Sequence, residues 1–274
     1  MPATNEAFAR GVLDAYRSGG LAAETALSKS VRASAAAQAG RLARPMGHPD
    51  FAGLALGESG HCDAAVVFLD LAEFTARTFW ESPETVVRLA QAVLTQLVEV
   101  VVDMGGHPLG LRGDGLFACF GGPGSVPEFD VAAALGTCAF ALDATESSLN
   151  NLLRLSGIAP VRLRAGADHG RVDFVQTGID GASEVNPIGF APNFAAKCEK
   201  KANSWELVVG EGLAAHVGNP ALTKQHADSP KTYEHDGQRR TYRYYDVHWR
   251  SLVSHAAGVR DDLAGAPISR VRPL

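Results

Sequence analysis

The sequence predicts an α+β fold, with a mostly antiparallel sheet and helices packed on it. Three observations carry that expectation. The continuous apolar run Ala64 to Leu69 reads as a strand buried on both faces. Segments 83–102 and 129–149 place apolar side chains at helical spacing. Glycine-rich turns divide the intervening apolar runs into hairpins. With 274 residues, 46% of them hydrophobic and 20% charged, the chain can bury one globular core plus an appendage.

Taken in order, residues 1–60 read as an N-terminal helical extension and linker. One helix covers about Asn5 to Arg17 and ends at Gly19-Gly20. A second covers about 21–42, with Lys29, Arg32 and Arg41 on a solvated face, and Pro45 to Gly60 is expected to be a loop outside the core. The strand from Ala64 ends at Asp70. After Leu71 to Thr75, a helix opens with Ser82 as its cap and Pro83 in its first turn, then stops at Gly105-Gly106. Next comes GGHPLGLRGDGLFACFGG, in which two apolar runs, His107 to Arg112 and Leu116 to Phe120, flank an Asp-Gly step. That is a hairpin signature, and it lifts Asp114 to the turn. Gly121 to Pro127 is a bridge into the helix over 129–149. Val161 to Ala167 and Arg171 to Gln176 read as a second hairpin through Asp168-His169-Gly170. Trp205 to Val209 and Thr241 to Val247 read as closing strands around a helix at Gly210 to Val217, and the tail 258–274 as mobile. Strand, helix, hairpin, helix, hairpin is the order of a ferredoxin-like palm.

If the two strands lie side by side, Asp70 and Asp114 meet. Paired carboxylates repel unless a hard cation lies between them, and magnesium on a nucleoside triphosphate answers that need. The net charge of −5 argues against a nucleic-acid partner held by overall charge. No run of 18 apolar residues is present, and Glu6, Arg10, Asp14 and Arg17 interrupt the N-terminus. The expectation is a cytoplasmic protein without direct membrane insertion. Cys62, Cys119, Cys138 and Cys198 form no Cys-x-x-Cys pair and read as reduced core thiols.

Four blocks carry a resemblance. FLDLAEFT, then RGDGLFACFGG with its Asp 114 − 70 = 44 positions after Asp70, VRLRAGADHGRV, and NPIGFAPNFAAKCE resemble, in that order, the catalytic domain of class III nucleotidyl cyclases. The likeness covers roughly 62–217 and implies a catalytic domain over 61–257. It implies that two divalent cations, Mg²⁺ or Mn²⁺, are held by Asp70, Asp114 and the Leu71 carbonyl. Phe74, Thr75 and Arg171 are implied on the nucleotide's phosphate side. Asn193 and Lys197, four residues apart on a helix opened by Pro192, take the places of an Asn and an Arg that orient the ribose and offset charge on the α-phosphate. Lysine supplies the charge without the bidentate fork. The family's sites lie between two domains, which implies a head-to-tail homodimer.

The base-reading positions depart from the purine cyclases. Those enzymes place a lysine or glutamate four residues before the second metal aspartate, and an Asp, Thr or Cys seven before the catalytic Asn. Here the positions hold Gly110 and Asn186. Arg112, on the same strand face as Gly110, is expected to shorten the pocket and to donate to pyrimidine carbonyls. In these respects the chain is similar to bacterial antiphage pyrimidine cyclases (Pycsar). Arg112 and Asn186 favour UTP over CTP as substrate, with a 3′,5′-cyclic monophosphate and pyrophosphate as products. The alternatives are an adenylyl or guanylyl cyclase, or a catalytically silent nucleotide-binding homologue. A diguanylate cyclase fits less well, because RGDGLF lacks that family's acidic pair. Glu73 stands where class III cyclases commonly have a small residue.

Overall fold

The computed structural model describes residues 4–21, 46–256, 258, 266–268 and 271. Apart from Leu21, the second N-terminal helix expected over 21–42, with its basic residues, lies outside the described residues, as does most of the 258–274 tail. Helix α1 (Asn5–Leu21) continues past Arg17 and buries Phe8, Ala9 and Val12 in the main core, so it is part of the domain rather than an appendage. The sheet strands are β1 (Ser59–Ala72), β2 (His107–Arg112), β3 (Gly115–Gly121), β4 (Arg162–Ile179), β5 (Ala182–Ile188), β6 (Leu207–Gly210), β7 (Thr223–Gln225) and β10 (Tyr244–Val247). Between the last two, β8 (Lys231–His235) and β9 (Gln238–Tyr242) form a separate hairpin. The sheet order is β2-β3-β1-β4-β6-β10-β7, with β5 on the far end of β4. Among the described residues, every pairing is antiparallel except β4 with β6.

The expected hairpin at Asp168-His169-Gly170 does not form. β1 is long enough to pair with β4 straight through that point, with Ala64 opposite Gly170 and Val66 opposite Asp168. The chain turns instead at Asp180-Gly181, where Gly181 takes a φ of +78°. Asp168 tolerates burial because it accepts hydrogen bonds from the His169 and Leu213 amides and from the Tyr242 hydroxyl. The 45–60 loop is likewise partly core. Phe51 stacks on Phe174 with ring centres 4.3 Å apart, and His48 Nε2 lies 2.9 Å from the Gly121 carbonyl. The tail is anchored where it is described: the Ile268 amide donates to the Gly105 carbonyl, and the Ile268 side chain is buried.

After the short α2 (Phe74–Trp80), α3 (Pro83–Asp103) starts as expected. The Ser82 hydroxyl accepts from the Thr85 amide. By length and hydropathy alone α3 could cross a bilayer, but Leu89, Val93, Leu97 and Val101 are fully buried in this core. α4 (Pro127–Asp143) passes through a π turn at Ala144–Leu149 into α5 (Asn150–Leu155), and it buries Val131, Ala134, Leu135, Cys138 and Leu142. These helices cover the face of β1 that carries Val67, Leu69 and Leu71. The opposite face, with Ala64, Val66, Phe68 and Asp70, meets α6 (Phe190–Lys201), so helices pack on both faces rather than one. Glycine makes that close approach possible. A Cβ on Gly166 of β4 would overlap the backbone nitrogen of Glu199.

Gly166→Ala should therefore destabilise the fold by at least about 3 kcal/mol in chemical denaturation. Unchanged stability would mean that α6 lifts off β4 without cost. A second expectation concerns Asp130. Burial pushes its carboxyl up to about 7, against the pull of the Ser125 hydroxyl. Because the folded pKa lies above the unfolded one, the group's contribution is full below about pH 4 and lost as pH rises through 7. Asp130→Asn cannot ionise, so it should gain stability relative to the unsubstituted protein between pH 4 and 7, by at most about 4 kcal/mol. Parallel stability curves would contradict this.

Candidate active site

Asp70 is set by register on both sides of its strand. It pairs with Gly115 of β3 and with Arg164 of β4. Asp114 stands at the β2–β3 turn next to Gly115, and its carbonyl accepts from the Leu71 amide at 3.2 Å. Gly115 makes room for the neighbouring acid, since a Cβ there would come within 3.0 Å of Asp70 Oδ1. Burial raises the Asp114 carboxyl above its ordinary value, and the charge of Asp70 raises it further. The hairpin thus brings the two acids together, as the order of strand, helix and hairpin predicts.

Arg164, which sequence reasoning missed, balances their charge. Its Nε and Nη2 donate to Asp70 Oδ2 at 3.0 and 2.7 Å, and Nη2 also lies 2.7 Å from Glu199 Oε1 on α6. Burial, then the charge of Asp70, holds the Glu199 carboxyl well above the usual carboxylate range, while Arg164 pulls it down. A signal was available in the sequence. Arg162 and Arg164 alternate in an otherwise apolar strand and so face the same side. Arg162 also accounts for Glu73, which takes φ +60° ahead of α2 and receives the Arg162 Nη1 at 2.6 Å.

Asn193 and Lys197 share the exposed face of α6, whereas Glu199 on the same helix is buried and meets Arg164. Lys197 Nζ sits 3.0 Å from the Tyr233 hydroxyl. By helical spacing, Asn193 and Lys197 project from the side of α6 opposite Glu199. The remaining phosphate-side expectations fare unevenly. The Phe74 side chain is buried in the main core, so its backbone alone can face a nucleotide, while Thr75 is exposed in the first turn of α2. Arg171 is not brought to the aspartates. It pairs with Asp63 in register, seven residues along β1 from Asp70 or about 23 Å at strand rise. The odd count puts it on the other face, and its guanidinium is held by Asp173 at 2.7 and 3.1 Å.

At the base-reading positions, Gly110 is buried opposite Phe117. A Cβ on Gly110 would come within 2.8 Å of the Phe117 ring and 3.5 Å of Arg112 Nη1. The guanidinium of Arg112 has folded toward that space, 5.1 Å above the Phe117 ring. Its Nη2 lies 3.7 Å from Glu184 of β5, so β5, which carries Asn186 two residues on, faces the end of β2.

The donor set suits a hard divalent ion: two adjacent carboxylates, a backbone carbonyl beside them, and no thiol or imidazole among them. Among the described residues, no group of three His, Cys, Asp or Glu side chains could hold a metal by itself.

No protein-family model matches the chain. It is 22% identical over 176 residues to a cytidylate cyclase of Staphylococcus aureus, covering 63% of this chain and 41% of the relative. To a cytidylate cyclase of Escherichia coli it is 24% identical over 180 residues, covering 63% and 40%. The chain thus spans about two fifths of the length of the curated relatives it matches. Among solved structures, the adenylyl cyclase CyaB from P. aeruginosa superposes with a TM-score of 0.60 at 21% identity, covering 69% of this chain and 95% of that one. The fold is that of a class III nucleotidyl cyclase domain, and in sequence the chain is similar to cytidylate cyclases.

Proposed function

We propose that the chain is a nucleotidyl cyclase that converts a pyrimidine nucleoside triphosphate to its 3′,5′-cyclic monophosphate at sites shared by two copies arranged head to tail. One observation carries the reading. The register joins Asp70 and Asp114 at one end of the sheet, while Asn193 and Lys197 face outward from α6. Each chain then offers two half-sites, and a second copy completes them. The cytidylate cyclases among its relatives support a pyrimidine base.

Asp70, Asp114 and the Leu71 carbonyl would hold Mg²⁺ or Mn²⁺, which supplies Lewis acidity to the 3′-hydroxyl and triphosphate. Arg164 neutralises the acids before the nucleotide arrives. Asn193 of the other copy orients the ribose, and Lys197 places its charge against the α-phosphate as negative charge builds there. The 3′-oxygen forms a bond to the α-phosphorus while the bond from that phosphorus to the bridging oxygen breaks. Pyrophosphate leaves, and the hydroxyl proton passes to solvent. Phe74 and Thr75 would present backbone and hydroxyl to the phosphates. On Arg112 and Asn186 alone the base is uracil, whose two carbonyls accept from both side chains. The family resemblance supports a messenger role in antiphage defence within the cytoplasm.

Asp114→Ala should lower turnover with Mn²⁺ and a pyrimidine triphosphate by roughly a thousandfold, with folding checked by circular dichroism. Unchanged turnover would remove Asp114 from the site. Mixing equal amounts of Asp114→Ala and Asn193→Ala chains should restore about a quarter of normal activity, because half of the dimers then keep one intact site. No restoration would place the whole site within one chain.

A further inference from the structure

We propose that Glu184 and Arg112 form an acceptor and donor pair that reads the edge of cytosine and makes CTP the preferred substrate. This rests on the cyclase reading above. Nothing in the sequence links Arg112 to Glu184; only the fold brings β5 to the end of β2. Three contacts hold the guanidinium. Nη1 lies 3.3 Å from the Leu111 carbonyl, Nη2 lies 3.7 Å from Glu184 Oε1, and the Phe117 ring lies 5.1 Å away. Phe117 is itself fixed by stacking on Phe68, with ring centres 5.4 Å apart and planes 11° from parallel. Gly110 is what admits this arrangement, since a Cβ there would press on the Phe117 ring over which the guanidinium lies.

The pair has the marks of a reader rather than a brace. Its side chains are 57% and 63% exposed, and at 3.7 Å it is a long surface ion pair, which adds little to stability. Both groups can therefore exchange one another for a ligand at small cost. Alternation along β5 puts Asn186 on the same face as Glu184, and α6 with Asn193 begins directly after β5. Base edge and ribose are thus addressed by one continuous stretch, 184–193.

Cytosine presents an amine donor at N4 beside the acceptors N3 and O2. A carboxylate beside a guanidinium matches that order, with Glu184 accepting from N4 and Arg112 donating to N3 and O2. Uracil in the same pose sets its O4 against the carboxylate and its N3–H against the guanidinium. Both contacts then bring like polarities together, so the pair selects as much by rejection as by attraction.

The test measures kcat/KM for CTP and UTP with Mn²⁺ on the full chain. CTP should be preferred by roughly ten- to a hundredfold. In Glu184→Gln, whose amide offers either an acceptor or a donor, that preference should shrink to roughly threefold or less while turnover persists. Arg112→Ala should lower kcat/KM for both pyrimidines. A preference for UTP in the unsubstituted chain, or an unchanged ratio in Glu184→Gln, would overturn the assignment and leave the cyclase reading intact. Absence of turnover with all of ATP, GTP, CTP and UTP would overturn the cyclase reading, and this assignment with it.

Discussion

The molecule depends on one electrostatic constraint, two carboxylates held side by side at a strand end. β1 is paired on both sides, so Asp70 has no freedom of register. Gly115 lies opposite it on β3 and Arg164 on β4. A slip of one residue would turn Asp70 into the core now filled by Leu69 and Leu71, and Leu69 outward in its place. With the register set, the repulsion between Asp70 and Asp114 has to be met by positive charge. In the free chain Arg164 meets it, and Glu199 steadies Arg164 from the far side. Such a cluster is poised for ligands that bring a cation of their own.

The same register fixes which side of α6 faces the sheet and which faces outward. α6 is pressed onto β4 through Gly166, which turns its Glu199 side inward and leaves Asn193 and Lys197 outward. A helix seated that closely has no rotational freedom to swing the outward pair round to the aspartates. The orientation of Asn193 and Lys197 is therefore a property of packing, set by the close approach at Gly166.

Much of this was legible in the residues. The apolar run that stops at Asp70, the Asp-Gly step after it and the Ser82-Pro83 helix start are local signals that tertiary context reinforced. The failures were signals that tertiary context overrode. Asp168-His169-Gly170 reads as a turn, but β1 supplies a partner through it and Tyr242 satisfies the Asp168 carboxyl, so the strand runs on. Pro45 to Gly60 reads as loop because its glycines hide Phe51, which has an aromatic partner in Phe174 far along the chain. Arg171 lies away from the aspartates of its own chain, a placement that cannot be seen without β4 running unbroken. Arg164, Glu199 and Glu184 went unassigned for a common reason. Each acts through a partner at least 35 residues distant, and charge alternation along a strand does not name that partner.

The most direct measurement is an anomalous-diffraction structure of the protein with Mn²⁺ and a non-cyclisable pyrimidine triphosphate analogue. Manganese is expected between Asp70 and Asp114 of one chain, and the sugar against Asn193 of a second. Manganese bound elsewhere, or the nucleotide enclosed by a single chain, would contradict it.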